Sequence, residues 1–95
     1  MKFISLSQSP RKDKKFVIRF EEPTMVIHFG SKKSSTYLDH HDKLKRENYL
    51  KRHSVNEDWS KVNAGSLSAY ILWGDSTNLE TNLRLFLDAF RIKLK

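Results

Sequence analysis

The clearest hydrophobic alternation lies near the start of the chain. Phe16, Ile18 and Phe20 alternate with Lys15, Val17 and Arg19, which predicts a strand with one strongly apolar face and one mixed face. Glu21, Glu22, Pro23 and Thr24 follow. Proline cannot donate a ladder hydrogen bond, so these four residues predict a turn. Met25 to Phe29 gives a second strand, and the two form an antiparallel hairpin. A lone hairpin is marginal in water. It needs either a third strand, for which Phe3 to Leu6 is the candidate, or a helix over its apolar face. Residues 7–14, with Pro10 and the start of the charged run Arg11 to Lys15, are expected as loop. Residues 1–14 are thus either a flexible segment or an edge strand. The charged run is either a solvated surface or a phosphate-contacting arm.

Beyond the hairpin the period changes. Gly30 ends the second strand and Ser31 to Thr36 is polar. A helix begins near Asp39 or Asp42 and runs to about His53. Either Asp can cap it, and Asp39 stands three residues ahead of Asp42 in the manner of a capping box. Its apolar positions, Leu44, Tyr49 and Leu50, make no clean stripe, and its cations are spread around it. Val55 to Val62 is a connector or short helix with Trp59 and Val62 as buried anchors. Leu67, Tyr70 and Ile71 share one face of a compact helix ending near Trp73, with Gly74 as its C-terminal cap. The last helix has the strongest pattern. Thr77 and Glu80 form its capping box, and Leu79, Leu83, Phe86, Leu87 and Phe90 form a broad apolar face. Glu80–Arg84 and Arg84–Asp88 are opposite-charge pairs at i, i+4. Ile92 and Leu94 extend the pattern and fray.

These elements predict a small single α+β domain over residues 1–95. An N-terminal antiparallel β-hairpin or three-stranded sheet packs against two or three helices, with Leu83, Phe86 and Phe90 of the last helix against Phe16, Ile18 and Ile27. At 95 residues and 38% apolar content, with six Phe and two Trp, the chain can build one core. There is no cysteine, which excludes disulfides and thiolate metal sites. No run approaches the roughly 18 apolar residues of a membrane span, and the N-terminus lacks the apolar region of a secretory signal. A soluble intracellular protein is expected.

Charge adds a location. Residues 1–53 carry 13 basic and 6 acidic side chains, whereas residues 54–95 carry five of each. The net +7 therefore belongs to the first half. Within it, residues 28–53 hold all four histidines, two of the three tyrosines and seven Lys or Arg residues. Polyanions are the natural partners: DNA, RNA, an acidic protein face or an anionic membrane surface.

Several residues, most of them in this stretch, carry a resemblance. Phe29-Gly30, Tyr37-x-x-His40-x-Asp42, Arg46-x-x-Tyr49-x-x-Arg52-His53, Glu57, Trp59 and Gly65-x-Leu67-Ser68-x-x-Ile71-Leu72-Trp73 are similar to elements of a family of small uncharacterised proteins. That family is encoded by large double-stranded DNA viruses of algae and protists. The likeness spans roughly residues 15–90. It departs at Glu47, which follows Arg46 where relatives usually carry lysine. The resemblance implies a viral origin and a setting of virion packing, genome binding or host contacts, in the host cytoplasm, the nucleus or the virion. It transfers no established activity.

Three functions compete. In the first, the protein is a non-enzymatic basic binder making sequence-independent phosphate contacts with DNA or RNA. Lys32, Lys33, Lys43, Lys45, Arg46, Lys51 and Arg52 supply long flexible cations, Tyr37 supplies a stacking ring, and the Gly30–Thr36 loop brings backbone N–H groups. Tyr49 is a further ring, though core packing suits it better, and Arg52 has Glu47 as an available ion-pair partner. No zinc-finger, RRM or KH signature is present, and one glycine makes no phosphate loop. In the second, the chain is a viral structural or interaction protein whose charge meets an acidic viral protein, with Trp59 and Trp73 as candidate anchors. The third is a metal-dependent nuclease drawing on His40, Asp42 and His53, with Glu57 as further ligand or base. HEXXH is absent, and His40 to His53 spans too many turns for co-ligation on one straight helix. The sequence thus assigns no metal, no cofactor and no catalytic residue. It leaves oligomeric state open, a homo-oligomer included.

Overall fold

The computed structural model describes residues 1–94 and is a small α+β domain. Strands β1 (Lys2–Gln8), β2 (Lys14–Glu21) and β3 (Met25–Ser31) form antiparallel pairs, and β4 (Lys93–Leu94) joins β1 in parallel, giving the order β3-β2-β1-β4. The expected hairpin and third strand are both present. Residues 2–8 are flanked by β2 and, over Lys2 and Phe3, by β4, so they are neither a flexible segment nor a simple edge. Leu94, expected to fray, pairs with Phe3, and Ile92 is buried beside the core.

The alternation sets the register. Phe16, Ile18 and Phe20 sit opposite Phe29, Ile27 and Met25, and Ile18 and Phe20 face Leu6 and Phe3 on the other side. One face of the sheet is therefore continuously apolar. Ile18, Phe20 and Phe29 are sealed there with Leu67, Ile71 and Phe86. Each such side chain contributes about 1.5–3 kcal/mol when fully buried.

Helices cover this face. Helix α1 (Tyr37–His40) starts with a true capping box in which Thr36 is the cap: its N–H donates to Asp39 Oδ2 at 2.7 Å. Asp39 thus serves this short turn, and Asp42 alone caps α2 (Lys43–Ser54). Residues 55–62 form no helix, and Trp59 and Val62 are half-buried rather than deep anchors. Helix α3 (Ala64–Leu67) begins at Asn63, whose Oδ1 accepts from Ser66 N at 2.8 Å, and runs into a π-helical turn over Ser68–Leu72. That turn closes with Trp73 N donating to Ser68 O at 3.0 Å.

The C-terminal helix α4 (Leu79–Ala89) is as long as expected, but its cap is Asn78, which accepts from Thr81 N, and not Thr77. Phe86 and Leu87 are buried, and Leu83 and Phe90 pack at the edge of the core. The element α4 packs on most extensively is the π turn, with Phe86 and Phe90 both edge-on to Tyr70. Neither Glu80–Arg84 nor Arg84–Asp88 closes as an ion pair among the described residues.

The α4 face also contains a polar residue, Asn82, which is fully buried. Its amide donates to Ile71 O (2.9 Å) and Ser76 O (2.6 Å), and its carbonyl accepts from Ser76 N (3.0 Å). A buried carboxamide so satisfied anchors the loop after the π turn. Gly74, expected as a C-terminal cap, lies against it. It takes no positive φ, and a Cβ there would meet Tyr70 O and lie 2.8 Å from Asn82 Cγ. Gly74→Ala is therefore expected to destabilise the fold by about 3 kcal/mol, the upper range for overpacking, in urea unfolding. A loss below about 1 kcal/mol, the lower end for overpacking, would contradict the close approach.

Candidate nucleic-acid interface

Helix α2 has an unusual way of attaching to the body. None of its 12 residues is buried, and Leu44 is 65% exposed. No fully buried apolar side chain therefore holds it. Arg46 does much of this work. Its Nε lies 3.0 Å from both Trp73 O and Gly74 O, and its Nη2 donates to Asp75 Oδ1 at 2.7 Å. The guanidinium carbon also lies 5.7 Å from the centre of the Tyr37 ring. The carbonyls it caps belong to the end of the π turn, where helical acceptors lack intrahelical donors.

One turn later, Tyr49 adds the second attachment. Its ring stacks between His53 (centroids 4.0 Å apart) and Trp73 (4.2 Å, planes within 5°). His40 meets Trp73 as well, at 5.2 Å. Four rings from α1, α2 and the end of the π turn thus form one column. Burial pushes the Tyr49 phenol up to about 12, the Glu57 charge adding to it while Arg52 and a Ser68 hydrogen bond oppose.

This arrangement sorts the sequence-expected residues into two groups. Arg46 commits its Nε and Nη2 inside the molecule, so its first role is to dock the helix. Tyr37 is 6% exposed and belongs to the interior, so it offers no stacking ring. Its position follows from the Thr36 cap, which starts a helical turn earlier than the sequence suggested. Lys33, Lys43, Lys45, Lys51 and Arg52 are exposed, and none is in an ion pair among the described residues. Arg52 does not pair with Glu47. Lys32 is exposed too, with its Nζ on Arg11 O at 3.3 Å.

Two adjoining depressions lie along α2. A cleft of about 460 Å³ is bounded by the Gly30–Thr36 loop on one side and by Tyr49, Arg52, His53 and Gly65 on the other, with Lys14 at its rim. A shallower hollow of about 540 Å³ is lined by His40, Lys45, Asn48 and Lys51. Ser35, Arg52 and Trp73 line both. The structure thus brings the Gly30 loop, at the sheet's β3 edge, against the basic helix.

The histidines do not converge. His40 Nδ1 accepts from Asp42 N at 3.0 Å, Asp42 is occupied as helix cap, and the Trp73 and Tyr49 rings stand between His40 and His53. No set of three His, Asp or Glu residues is arranged for a metal ion among the described residues. The His40–Asp42–His53 grouping is therefore corrected. His53 instead pairs with Glu57, Nδ1 to Oε2 at 2.8 Å, and Trp59 Nε1 donates to Oε1 of the same carboxylate at 2.8 Å. Burial alone would raise the Glu57 carboxyl; the His53 and Trp59 hydrogen bonds, with the His53 charge, outweigh it and hold it below its usual range. Gly65 permits this, since a Cβ there would lie 3.0 Å from Glu57 Oε1. The i, i+4 spacing of Tyr49, His53 and Glu57 was the available signal. Lys14 lies in the charged run Arg11 to Lys15 and Ser35 in the Gly30–Thr36 loop, both of which were segments offered for phosphate contact without either residue being named.

Compared with known families, the chain matches the family described as Family of unknown function (DUF5754) over residues 4–53, just over half its length. The chain belongs to this family. Within DUF5754 the match runs from β1 to the end of the basic helix, and it stops short of Glu57 and Trp73. No curated protein and no solved structure matches the chain.

The half-buried Tyr49 phenol gives a pH signature. An unfolded tyrosine ionises near 10, and the folded Tyr49 near 12, so the fold favours the neutral phenol. Its contribution is complete below about pH 10 and is lost as pH rises toward about 12. Phenolate absorbance should show a step near 12 that Tyr49→Phe removes. A titration curve that keeps that step in Tyr49→Phe would contradict the stack.

Proposed function

We propose that the protein binds DNA or RNA through phosphate contacts, without reading sequence, along the groove beside α2. The observation that carries this reading is the gathering of Lys45, Lys51 and Arg52 around two adjoining depressions, with Lys14 at the far rim and no carboxylate paired to any of the four. Unpaired cations at the rim of a groove attract a polyanion by releasing its condensed counterions. Backbone phosphates need this and no base-edge geometry. The resemblance to proteins of large DNA viruses suits a genome-contacting role. The competing reading places the same charge against an acidic viral protein.

Fluorescence anisotropy with labelled single-stranded RNA and duplex DNA, titrated across salt, tests the proposal. If the four cations each engage one phosphate, log K should fall against log salt with a slope of about −3 on single strands. Lys51→Ala should flatten that slope by roughly one unit while leaving the circular dichroism spectrum unchanged. Absence of binding at low salt would overturn the reading. Binding to an acidic polypeptide in that case would favour the protein-partner alternative.

A further inference from the structure

The groove contains one polar arrangement that phosphate binding does not require. His53 Nδ1 is held by Glu57 Oε2 at 2.8 Å, and the ring is fixed in plane by stacking on Tyr49 at 4.0 Å. In a neutral imidazole this bond places the proton on Nδ1 and leaves the lone pair on Nε2. His53 Nε2 has no protein partner among the described residues, and the residue lines the cleft. It differs in this from His40, whose Nε2 is also without a partner but is sealed from solvent. Arg52, the next residue, lines the same cleft, and Lys14 stands at its rim. An oriented base therefore sits beside cations in a groove suited to a phosphodiester chain.

We infer that this cleft is a catalytic site for RNA cleavage by internal transesterification, with His53 as general base and Arg52 as stabiliser of the phosphoryl oxygens. The inference rests on the nucleic-acid reading above and selects RNA as the substrate. RNA carries its own nucleophile, the 2′-hydroxyl, so the reaction needs a proton acceptor and charge stabilisation from the protein. His53 Nε2 takes the 2′-hydroxyl proton as the 2′-oxygen bonds to the adjacent phosphorus. The bond from phosphorus to the 5′-oxygen breaks with its electron pair on that oxygen, and the proton returns to it through water. The products are a 2′,3′-cyclic phosphate and a 5′-hydroxyl, with no other reactant consumed. Glu57 is a positioning residue: it fixes the tautomer and is itself held by Trp59 Nε1. The charged and titratable groups facing His53 are Glu57 and Tyr49, with Arg52 and Lys14 around the cleft.

The test incubates the full chain with a labelled RNA oligonucleotide and with the same oligonucleotide carrying one 2′-deoxy residue, while anisotropy follows binding. Cleavage to cyclic-phosphate and 5′-hydroxyl ends, blocked at the deoxy position, is expected. His53→Ala and His53→Gln, each checked by circular dichroism, should lower the rate roughly a hundredfold or more without weakening binding by a comparable factor. Free imidazole should restore part of the His53→Ala rate, which a purely structural histidine would not show. Glu57→Gln should lower kcat by about tenfold or more with KM little changed, since the wrong tautomer leaves binding intact. Intact RNA in the presence of demonstrable binding would overturn this inference and spare the binding reading. Equal cleavage by folded His53→Ala and wild type would also overturn it, marking a contaminating activity. Neither binding nor cleavage would remove both.

Discussion

The attachment of α2 to the segment from Trp73 to Asp75 is the contact on which the rest of the molecule's surface depends. A helix without a buried residue has little hydrophobic reason to stay where it is. Arg46 supplies a polar reason, reaching two carbonyls and a carboxylate at the end of the π turn. Hydrogen bonds from a charged donor are worth more than neutral ones, on the order of 1.5–3 kcal/mol. The Tyr49–Trp73 stack adds aromatic contact area one turn further on. Docked this way, the helix turns Lys43, Lys45, Lys51 and Arg52 outward and brings His53 to the mouth of the cleft.

That docking point must itself be rigid, and the interior supplies the rigidity. The Trp73 and Gly74 carbonyls that Arg46 reaches lie just past the π turn, and Asn82 fixes this loop through Ile71 and Ser76. Gly74 allows this loop to close on both Tyr70 and Asn82. The chain of support runs from α4, through Asn82, to the Trp73–Asp75 segment, and from there to Arg46. The sheet contributes by burying Leu72 and Ile71 beneath the same turn. The functional surface is therefore built on the last third of the chain, although nearly all of its charge lies in the first half.

Much of the fold was legible in the sequence because it follows local periodicities. The alternation of Phe16, Ile18 and Phe20 gave the central strand, the Pro23 turn gave the hairpin, and the apolar face from Leu79 to Phe90 gave the last helix. What was not legible depends on contacts far apart in sequence. Arg46 looked like one of several equivalent cations, because nothing local shows that its partners lie 27 to 29 residues away. Tyr37 looked exposed for the same reason. Asn82 reads as an interruption of an apolar face until its three hydrogen bonds are seen. His53 and Glu57 were both singled out, but as members of one metal site with His40 and Asp42; their i, i+4 spacing pairs them with each other instead. Asp42, one of the two caps offered for the basic helix, does cap α2, whereas Thr77 missed the α4 cap by one position, since several Asp, Asn and Thr residues near a helix start can serve.

The whole basic surface depends on Arg46 holding α2 in place. Hydrogen exchange of the α2 amides, compared between wild type and Arg46→Ala, measures this directly. The account predicts that exchange across Arg46 to Ser54 accelerates by at least an order of magnitude, while the β2 amides keep their protection, because local opening of α2 is separable from global unfolding. Unchanged α2 protection would contradict it, and so would an equal loss of protection in α2 and the sheet.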